Sequence, residues 1–428
     1  MRITRTFKNF CSKISISSSN DKYLELSKVL EKIETKSNKN PLKEDQLHSE
    51  LKRDILTFLE ILEEDQISNH KCFVGKANLK NTFLERNEYL KNKSLDAIMK
   101  RINCYFNTKN LFSGNLNSFR AEEIREKYFF DYYFYFLDQL AEHINFSYKN
   151  NSKKQPLLIG LQAGQGCGKT TICEMLNYIL INKFGLKSKC FSSDDYYYPY
   201  RELQEISIKN PYLKYRGPPG THDINLFEEV LDNFKNKRSD YVLQMFEKKE
   251  NNGFGDRVTQ KFLKELTVSE PLDILICEGW FNGIKPATEI EFRKNLDDQL
   301  ASYSELNHIK ISKDFYEQTI EFQMEVNENL KDYLKIWDYF DSFLVLCPQD
   351  FTYSRKWKAT VETLRKTLTK DMIEIYIEYY WNSLPPTVYF KKLLEPGYNI
   401  KTFKNEVLNP FVLYSDFDRN YYIKNNKI

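Results

Sequence analysis

The stretch LLIGLQAGQGCGKTTICEML, residues 157–176, constrains the fold more than any other. A short apolar run, LLIGL, meets AGQGCGKTT and passes into TTICEMLNYILINKF, whose apolar residues recur at helical spacing. Strand, glycine-rich loop and helix, in that order, make the setting in which a loop wraps phosphate. Glycines let successive backbone N–H groups turn inward, and the helix N-terminus adds its positive end. The chain has 428 residues and only 14 glycines, so Gly164, Gly166 and Gly168 in one loop point to a backbone requirement.

The spacing assigns roles. Gly164, Gln165, Gly166, Cys167, Gly168, Lys169, Thr170 and Thr171 form a nucleotide cradle, here for ATP. Lys169 would reach the β- and γ-phosphates, and the Thr170 hydroxyl would hold Mg²⁺. The pattern Gly-x-x-x-x-Gly-Lys-Ser/Thr has Ala163 at its first glycine, which costs little unless that residue is left-handed. A glycine-rich turn that binds nothing is the alternative. Cys167 at the helix start is read either as a thiol of lowered pKa or as a small filler.

After this loop, short apolar runs alternate with helical patterns: SKCFSS, LDILICEG and SFLVLC read as buried parallel strands. The expected fold class is α/β, a P-loop NTPase of three layers, α/β/α, with a mainly parallel sheet. KNNSKKQP, 149–156, reads as a linker, and KKENNGFGD, 248–256, as a flexible loop. TLRKTLTKDMIEIYIEYYWNSL reads as a late helical region. Residues 21–148 show apolar spacings of three and four, which predict an α-helical N-terminal region before a kinase domain at 149–428.

Two strand ends carry acids. SKCFSSDDYYYPY drops Asp194 and Asp195 at a strand tip, the edge that faces the ligand crevice in open α/β sheets. One carboxylate there could accept a proton from an attacking hydroxyl; equally, the pair could cap a helix or close a turn. LDILICEGW ends at Glu278, suited to holding Mg²⁺ or a metal-bound water, with an ordinary exposed strand-end glutamate as the alternative.

Bulk properties exclude other classes. Lys+Arg is 63 and Asp+Glu is 60, a balance that leaves no nucleic-acid footprint. No apolar run reaches the ~20 residues of a membrane-spanning helix, so no membrane partner is expected. The eight cysteines form no CxxC pair and read as reduced thiols. No guanine-reading Asn-Lys-x-Asp and no ABC-type signature occurs. MRITRTFKNFCSKISISSSN, 1–20, is basic, amphipathic and acid-free, as in a mitochondrial or other organelle transit peptide; the alternative is a disordered tail of a cytoplasmic protein.

AGQGCGKTT, SSDDYY, YRGPPGTHD, NNGFGDR and ICEGWFNGIKP occur in that order. Together they resemble the plant- and fungal-type D-glycerate 3-kinase family, P-loop kinases related to uridine kinase, phosphoribulokinase and pantothenate kinase. VNENLKDYLKIWDYFDSFLVL and FTYSRKWKATVE extend the resemblance, which spans about 130–395. It implies transfer of the ATP γ-phosphate to a small-molecule hydroxyl, D-glycerate giving 3-phosphoglycerate. Another acceptor on the same fold, or a non-catalytic nucleotide-binding scaffold, are the other readings.

Carried onto this sequence, the resemblance makes Asp194 the general base and Lys169 and Arg355 further catalytic residues. Asp195, Tyr197, Arg216, His222, Asp223, Asp256 and Arg257 would bind substrate, and Thr170 and Glu278 would hold the metal. Arg216 or Arg257 could pair bidentately with a hydroxy acid's carboxylate. Arg355 and Lys358 match a lid segment, about 350–372, or else form a solvated helix face. His222 is read alternatively as a turn residue. Where the family shows Pro-x-Tyr-Asp-Lys-Ser, this chain has LQMFEKK, with Phe246 and Glu247 for Tyr and Asp and Lys249 for Ser. That departure bears on the acceptor's identity, and the sequence leaves oligomeric state open.

Overall fold

The structure is a computed structural model, and it describes residues 130–151, 155–258, 266–307, 313–365, 368–390, 392–394, 411–415 and 421–422. The leader expected at 1–20 and the helical patterns expected across 21–129 lie outside the described residues. Residues Leu137–Tyr421 form one compact unit.

Its centre is a six-stranded sheet. β1 (Leu157–Ala163) lies between β7 (Ile274–Gly279) and β8 (Ser342–Pro348). β2 (Ser188–Ser192) flanks β7 on one side. β9 (Phe411–Ser415) and then β10 (Tyr421–Tyr422) follow β8 on the other. β2, β7, β1, β8 and β9 run parallel. All residues of β1, β7 and β8 are buried, as continuous apolar runs in a sheet covered on both faces must be. The α/β class and the parallel sheet read from the sequence are therefore present. No helix among the described residues is long and apolar enough to cross a membrane.

Helix α1 (Phe130–Asn150) precedes β1, and α2 (Lys169–Phe184) follows it. α2 buries Ile172, Cys173, Met175, Leu176, Ile179 and Leu180. Gly185 closes it: the N–H groups of Gly185 and Leu186 donate back to the Ile181 and Leu180 carbonyls, satisfying groups a helix end leaves open. α3 (Tyr200–Lys209) and α4 (Ile224–Lys235) follow β2, and Asp223 caps α4 by accepting from the Leu226 amide at 3.1 Å. Short pairs, β3 (Tyr241–Val242) with β6 (Thr267–Val268) and β4 (Phe246–Glu247) with β5 (Asp256–Arg257), lead to β7. α5 (Glu289–Asn307), α6 (Lys313–Leu330) and α7 (Leu334–Trp337) connect β7 to β8.

Two expectations change. The segment 248–256, expected as a flexible loop, is the bend of the β4–β5 hairpin, with Asn251 bonded to the Gly255 carbonyl at 3.2 Å. The late helical region is two helices, α8 (Tyr353–Arg365) and α9 (Lys370–Ser383). Thr369 starts the second by accepting from the Met372 amide at 3.3 Å. The short helix α10 (Pro386–Tyr389) completes the described helices.

Gly160, in the middle of β1, has the Phe343 ring of β8 where a Cβ would stand. Gly160→Ala is expected to destabilise the fold by about 1–3 kcal/mol, the cost of overpacking a core, measured by chemical denaturation.

Candidate active site

The loop between β1 and α2 takes the conformation its glycines permit. Gly166 and Gly168 have φ of 78° and 85°, the left-handed region where other residues are strained. Gly166 also lies under α8, where an added Cβ would come within 2.6 Å of Trp357 Cβ. Cys167 is buried, and burial pushes its thiol up to about 12, so it is the filler of the two readings and not a reactive thiol. Lys169 folds back so that its ammonium donates to the Gly164 carbonyl at 3.1 Å. Gln165 shares a small cavity of about 30 Å³ with Gly164 and Arg355, whereas Thr171 stands beyond the loop in the first turn of α2.

Thr170 and Glu278 meet although 108 residues separate them. β1 pairs with β7 so that Leu161 stands opposite Glu278, which brings the end of β7 to the mouth of the loop. There the Thr170 hydroxyl donates to Glu278 Oε1 at 2.8 Å. Two hard oxygen donors, one anionic, suit a small divalent cation that keeps most of its waters. Gly279 must be glycine because Ser193 and Asn282 occupy the space of a Cβ.

β2 also pairs with β7, setting Ser192 opposite Glu278. The 3-10 turn Ser193–Tyr196 follows, and it divides the two aspartates. Ser192 caps the turn, accepting from the Asp194 amide at 3.2 Å, while Asp195 Oδ2 accepts from the Ser192 amide at 2.9 Å. Asp195 Oδ1 accepts from the Phe246 amide at 3.1 Å. Both oxygens of Asp195 thus brace β2 against β4, and the residue also lines the cleft beside Thr170 and Glu278. Burial pushes its carboxyl up to about 7 against those two amide donors.

Asp194 is not a cap. Its side chain, 19% exposed, accepts from the Tyr197 hydroxyl at 2.8 Å on one oxygen and pairs with Lys248 Nζ at 2.6 Å on the other. Burial opposes its charge, but the Lys248 ammonium and the Tyr197 hydroxyl hold it well below the usual carboxylate range.

The YRGPPGTHD segment is stitched beside this turn. Tyr197 and His222 form an antiparallel bridge, and their rings lie 4.3 Å apart. The Tyr333 hydroxyl lies 2.7 Å from His222 Nδ1 and accepts from the Gly220 amide at 3.2 Å. Burial pushes this imidazole down to about 3, and its Nε2 has no hydrogen-bond partner.

Four other expected substrate ligands also hold the walls together. Asp223 caps α4. Asp256 accepts from the Tyr200 amide at 2.9 Å and so fixes the start of α3. Arg257 donates to the Tyr197 carbonyl at 2.9 Å and pairs with Asp223 at 3.4 Å. Arg216 donates to the Gly253 and Phe254 carbonyls and lies over the Phe246 ring, although it also lines the cleft.

The cleft itself has a volume of about 420 Å³. Thr170 and Glu278 floor it, Lys248 and Lys249 line the hairpin side, and Lys358, Glu362 and Tyr380 line the side of α8 and α9. Arg355 is in the separate small cavity, paired with Glu378 and stacked over Trp381. Lys358 pairs with Glu362 at 2.7 Å. The residue that sequence reasoning passed over is Lys248. Its signal was present as the one lysine of the Pro-x-Tyr-Asp-Lys-Ser pattern that this chain keeps.

No protein-family model matches the chain. Over 233 residues it is 34% identical to a chloroplastic D-glycerate 3-kinase of Arabidopsis thaliana, covering 53% of this chain and 45% of that protein. It therefore spans about half the length of that relative. Over 275 residues it is 28% identical to an uncharacterized kinase of Schizosaccharomyces pombe, covering 63% of this chain and 90% of that one. A D-glycerate 3-kinase structure from Cryptococcus neoformans superposes with a TM-score of 0.53 at 22% identity, covering 67% of this chain and 97% of that one. This last match establishes the fold alone.

An ordinary histidine binds a proton near pH 6.5 in the unfolded chain, whereas buried His222 does so only near 3. Acidification through that window therefore favours unfolding. In His222→Gln, the stability lost between pH 7 and pH 4 is expected to shrink by about 2–3 kcal/mol relative to wild type, measured by urea unfolding at both pH values.

Proposed function

The chain groups with the D-glycerate 3-kinases and their P-loop kinase relatives, and on that footing we propose that it is a Mg²⁺- and ATP-dependent kinase that phosphorylates a hydroxyl of a small hydroxy acid, D-glycerate first among them. The observation that carries the reading is the Thr170–Glu278 hydrogen bond at the mouth of the glycine loop, with Asp194 on the adjoining strand tip. The metal corner lines the cleft together with Lys248, and Lys248 in turn holds Asp194, an arrangement suited to transfer between a nucleotide and an alcohol.

In this reading the loop amides and Lys169 bind the phosphates, and Thr170 and Glu278 hold Mg²⁺. The cation supplies charge neutralisation when bound. Lys169 exchanges its Gly164 carbonyl for a phosphate oxygen. Asp194 accepts the proton of the acceptor hydroxyl, and its low basicity suits a loose transition state in which that proton leaves late. Neutral His222 presents an unpartnered Nε2 beside Tyr197, able to hydrogen-bond a hydroxyl. Lys358 on α8 adds positive charge across the cleft.

A second acceptor on the same chemistry is favoured by one observation. Phe246, Glu247 and Lys249, where the family pattern is altered, all line the cleft. Purified protein assayed for ADP release with D-glycerate, other hydroxy acids and nucleosides decides between them. D-Glycerate-dependent turnover is expected; turnover with nucleosides alone would overturn the hydroxy-acid reading. Lys169→Ala is expected to abolish turnover. Asp194→Asn should lower kcat by roughly 10²–10⁴-fold, the usual worth of a general base, with ATP binding retained in calorimetry.

A further inference from the structure

As it stands, Asp194 is a weak proton acceptor. One oxygen takes the Tyr197 hydroxyl and the other the Lys248 ammonium at 2.6 Å. The ammonium stabilises the charged carboxylate, so the group becomes a stronger base toward a hydroxyl proton when that cation leaves. Lys248 is built to leave. It follows β4 at the start of the hairpin bend, its side chain is 36% exposed, and it faces the same cleft as Thr170 and Glu278. Arg216, another cation on this wall, is anchored by the Gly253 and Phe254 carbonyls.

Resting on the proposed function, we infer that Lys248 is the acceptor-sensing residue: its ammonium passes from Asp194 to the carboxylate of an incoming hydroxy acid, so that the base is freed when an anionic acceptor is bound. A carboxylate can compete for an ammonium on equal terms, whereas a neutral alcohol cannot. Lys248 is thus a specificity-determining residue as well as a positioning one. An alcohol lacking the carboxylate leaves Lys248 on Asp194 and the base weak. Exchange of one carboxylate partner for another also keeps the ammonium paired throughout, avoiding the cost of an unpaired charge in a partly desolvated cleft.

The other groups facing Asp194 do not substitute for Lys248. Asp195 and Tyr197 share its turn, His222 comes from the segment before α4, Cys277 from β7 and Tyr380 from α9. His222 is neutral above about pH 3, and burial pushes the thiol of Cys277 and the phenols of Tyr197 and Tyr380 up, so they too are uncharged. Lys248 is the cation in that set whose removal raises the pKa of Asp194.

The test compares Lys248→Met and Lys248→Arg in steady-state assays with D-glycerate and with glycerol, which lacks the carboxylate. In Lys248→Met, KM for D-glycerate is expected to rise roughly 10- to 100-fold, the loss of one charge-assisted hydrogen bond, with KM for ATP unchanged. The acid limb of kcat/KM should move up by about one pH unit, and preference for D-glycerate over glycerol should fall. Lys248→Arg is expected to restore most of the KM. Wild-type KM and an unmoved limb in Lys248→Met would overturn the inference while leaving the kinase reading intact. A wild-type protein that phosphorylates no carboxylate-bearing alcohol overturns both. An equal rise in KM for ATP would also overturn the inference, by making the effect structural. If Lys248→Met does not fold, wild type with ¹³C-labelled aspartate is titrated by NMR. The apparent pKa of Asp194 should rise when D-glycerate saturates the protein and stay unchanged with a non-hydrolysable ATP analogue alone. No rise with D-glycerate, or the same rise with the analogue, overturns the inference.

Discussion

The pairing of β7 between β1 and β2 is the constraint on which the rest depends. Its register sets Glu278 beside both Leu161 and Ser192, three residues before the glycine loop and one before the aspartate turn respectively. Parallel strands end at the same edge, so three segments far apart in sequence deliver their polar ends together. The close approach leaves no room for a side chain at Gly279, and the buried strands behind it hold the edge rigid. Thr170 reaches Glu278 because the backbone places it there, and the hydroxyl is oriented before any ligand arrives.

The same edge separates two adjacent carboxylates into different occupations. Asp195 turns inward and takes two amide protons, joining the end of β2 to the start of β4. Asp194 turns toward Tyr197 and Lys248. A 3-10 turn rotates successive side chains by roughly a third of a turn, so one acid can satisfy backbone only if its neighbour faces elsewhere. Because Asp195 fixes the position of β4, it also fixes the hairpin that carries Lys248. The structural acid therefore positions the partner of the reactive one.

Much of this was legible in the sequence where local chemistry and tertiary position coincide. LLIGLQAGQGCGKTT gave strand, loop and helix, because glycine, lysine and threonine at that spacing serve backbone and ligand at once. ICEGW gave a strand ending at an acid for the same reason. The backbone contacts of Asp223, Asp256 and Arg257 were not legible, because motif identity does not say which way a side chain points. Their carboxylates and guanidinium satisfy the amides and carbonyls of Leu226, Tyr200 and Tyr197, contacts decided by how separate turns stack. Lys248 was hidden by its surroundings: in LQMFEKKENN it is one of two successive lysines, and only the hairpin assigns it to Asp194. The break between α8 and α9 was hidden as well, since TLRKTLTKDM keeps helical spacing while Thr369 ends the register with its hydroxyl.

The cations around the cleft share one arrangement. Lys169 rests on the Gly164 carbonyl, Lys248 on Asp194, Lys358 on Glu362 and Arg355 on Glu378. An ammonium facing a cleft with no partner would be costly, and one locked in a deep ion pair would not release. Asp194 and Glu378, whose side chains are 19% and 50% exposed, lie between these limits. Exchange of such a partner for a phosphate or carboxylate oxygen replaces one charge-assisted contact with another, so little is lost in the transfer and much is lost if the incoming group is neutral. Specificity at such a site would arise less from the shape of the 420 Å³ cleft than from which ligands can offer each cation an anion in return.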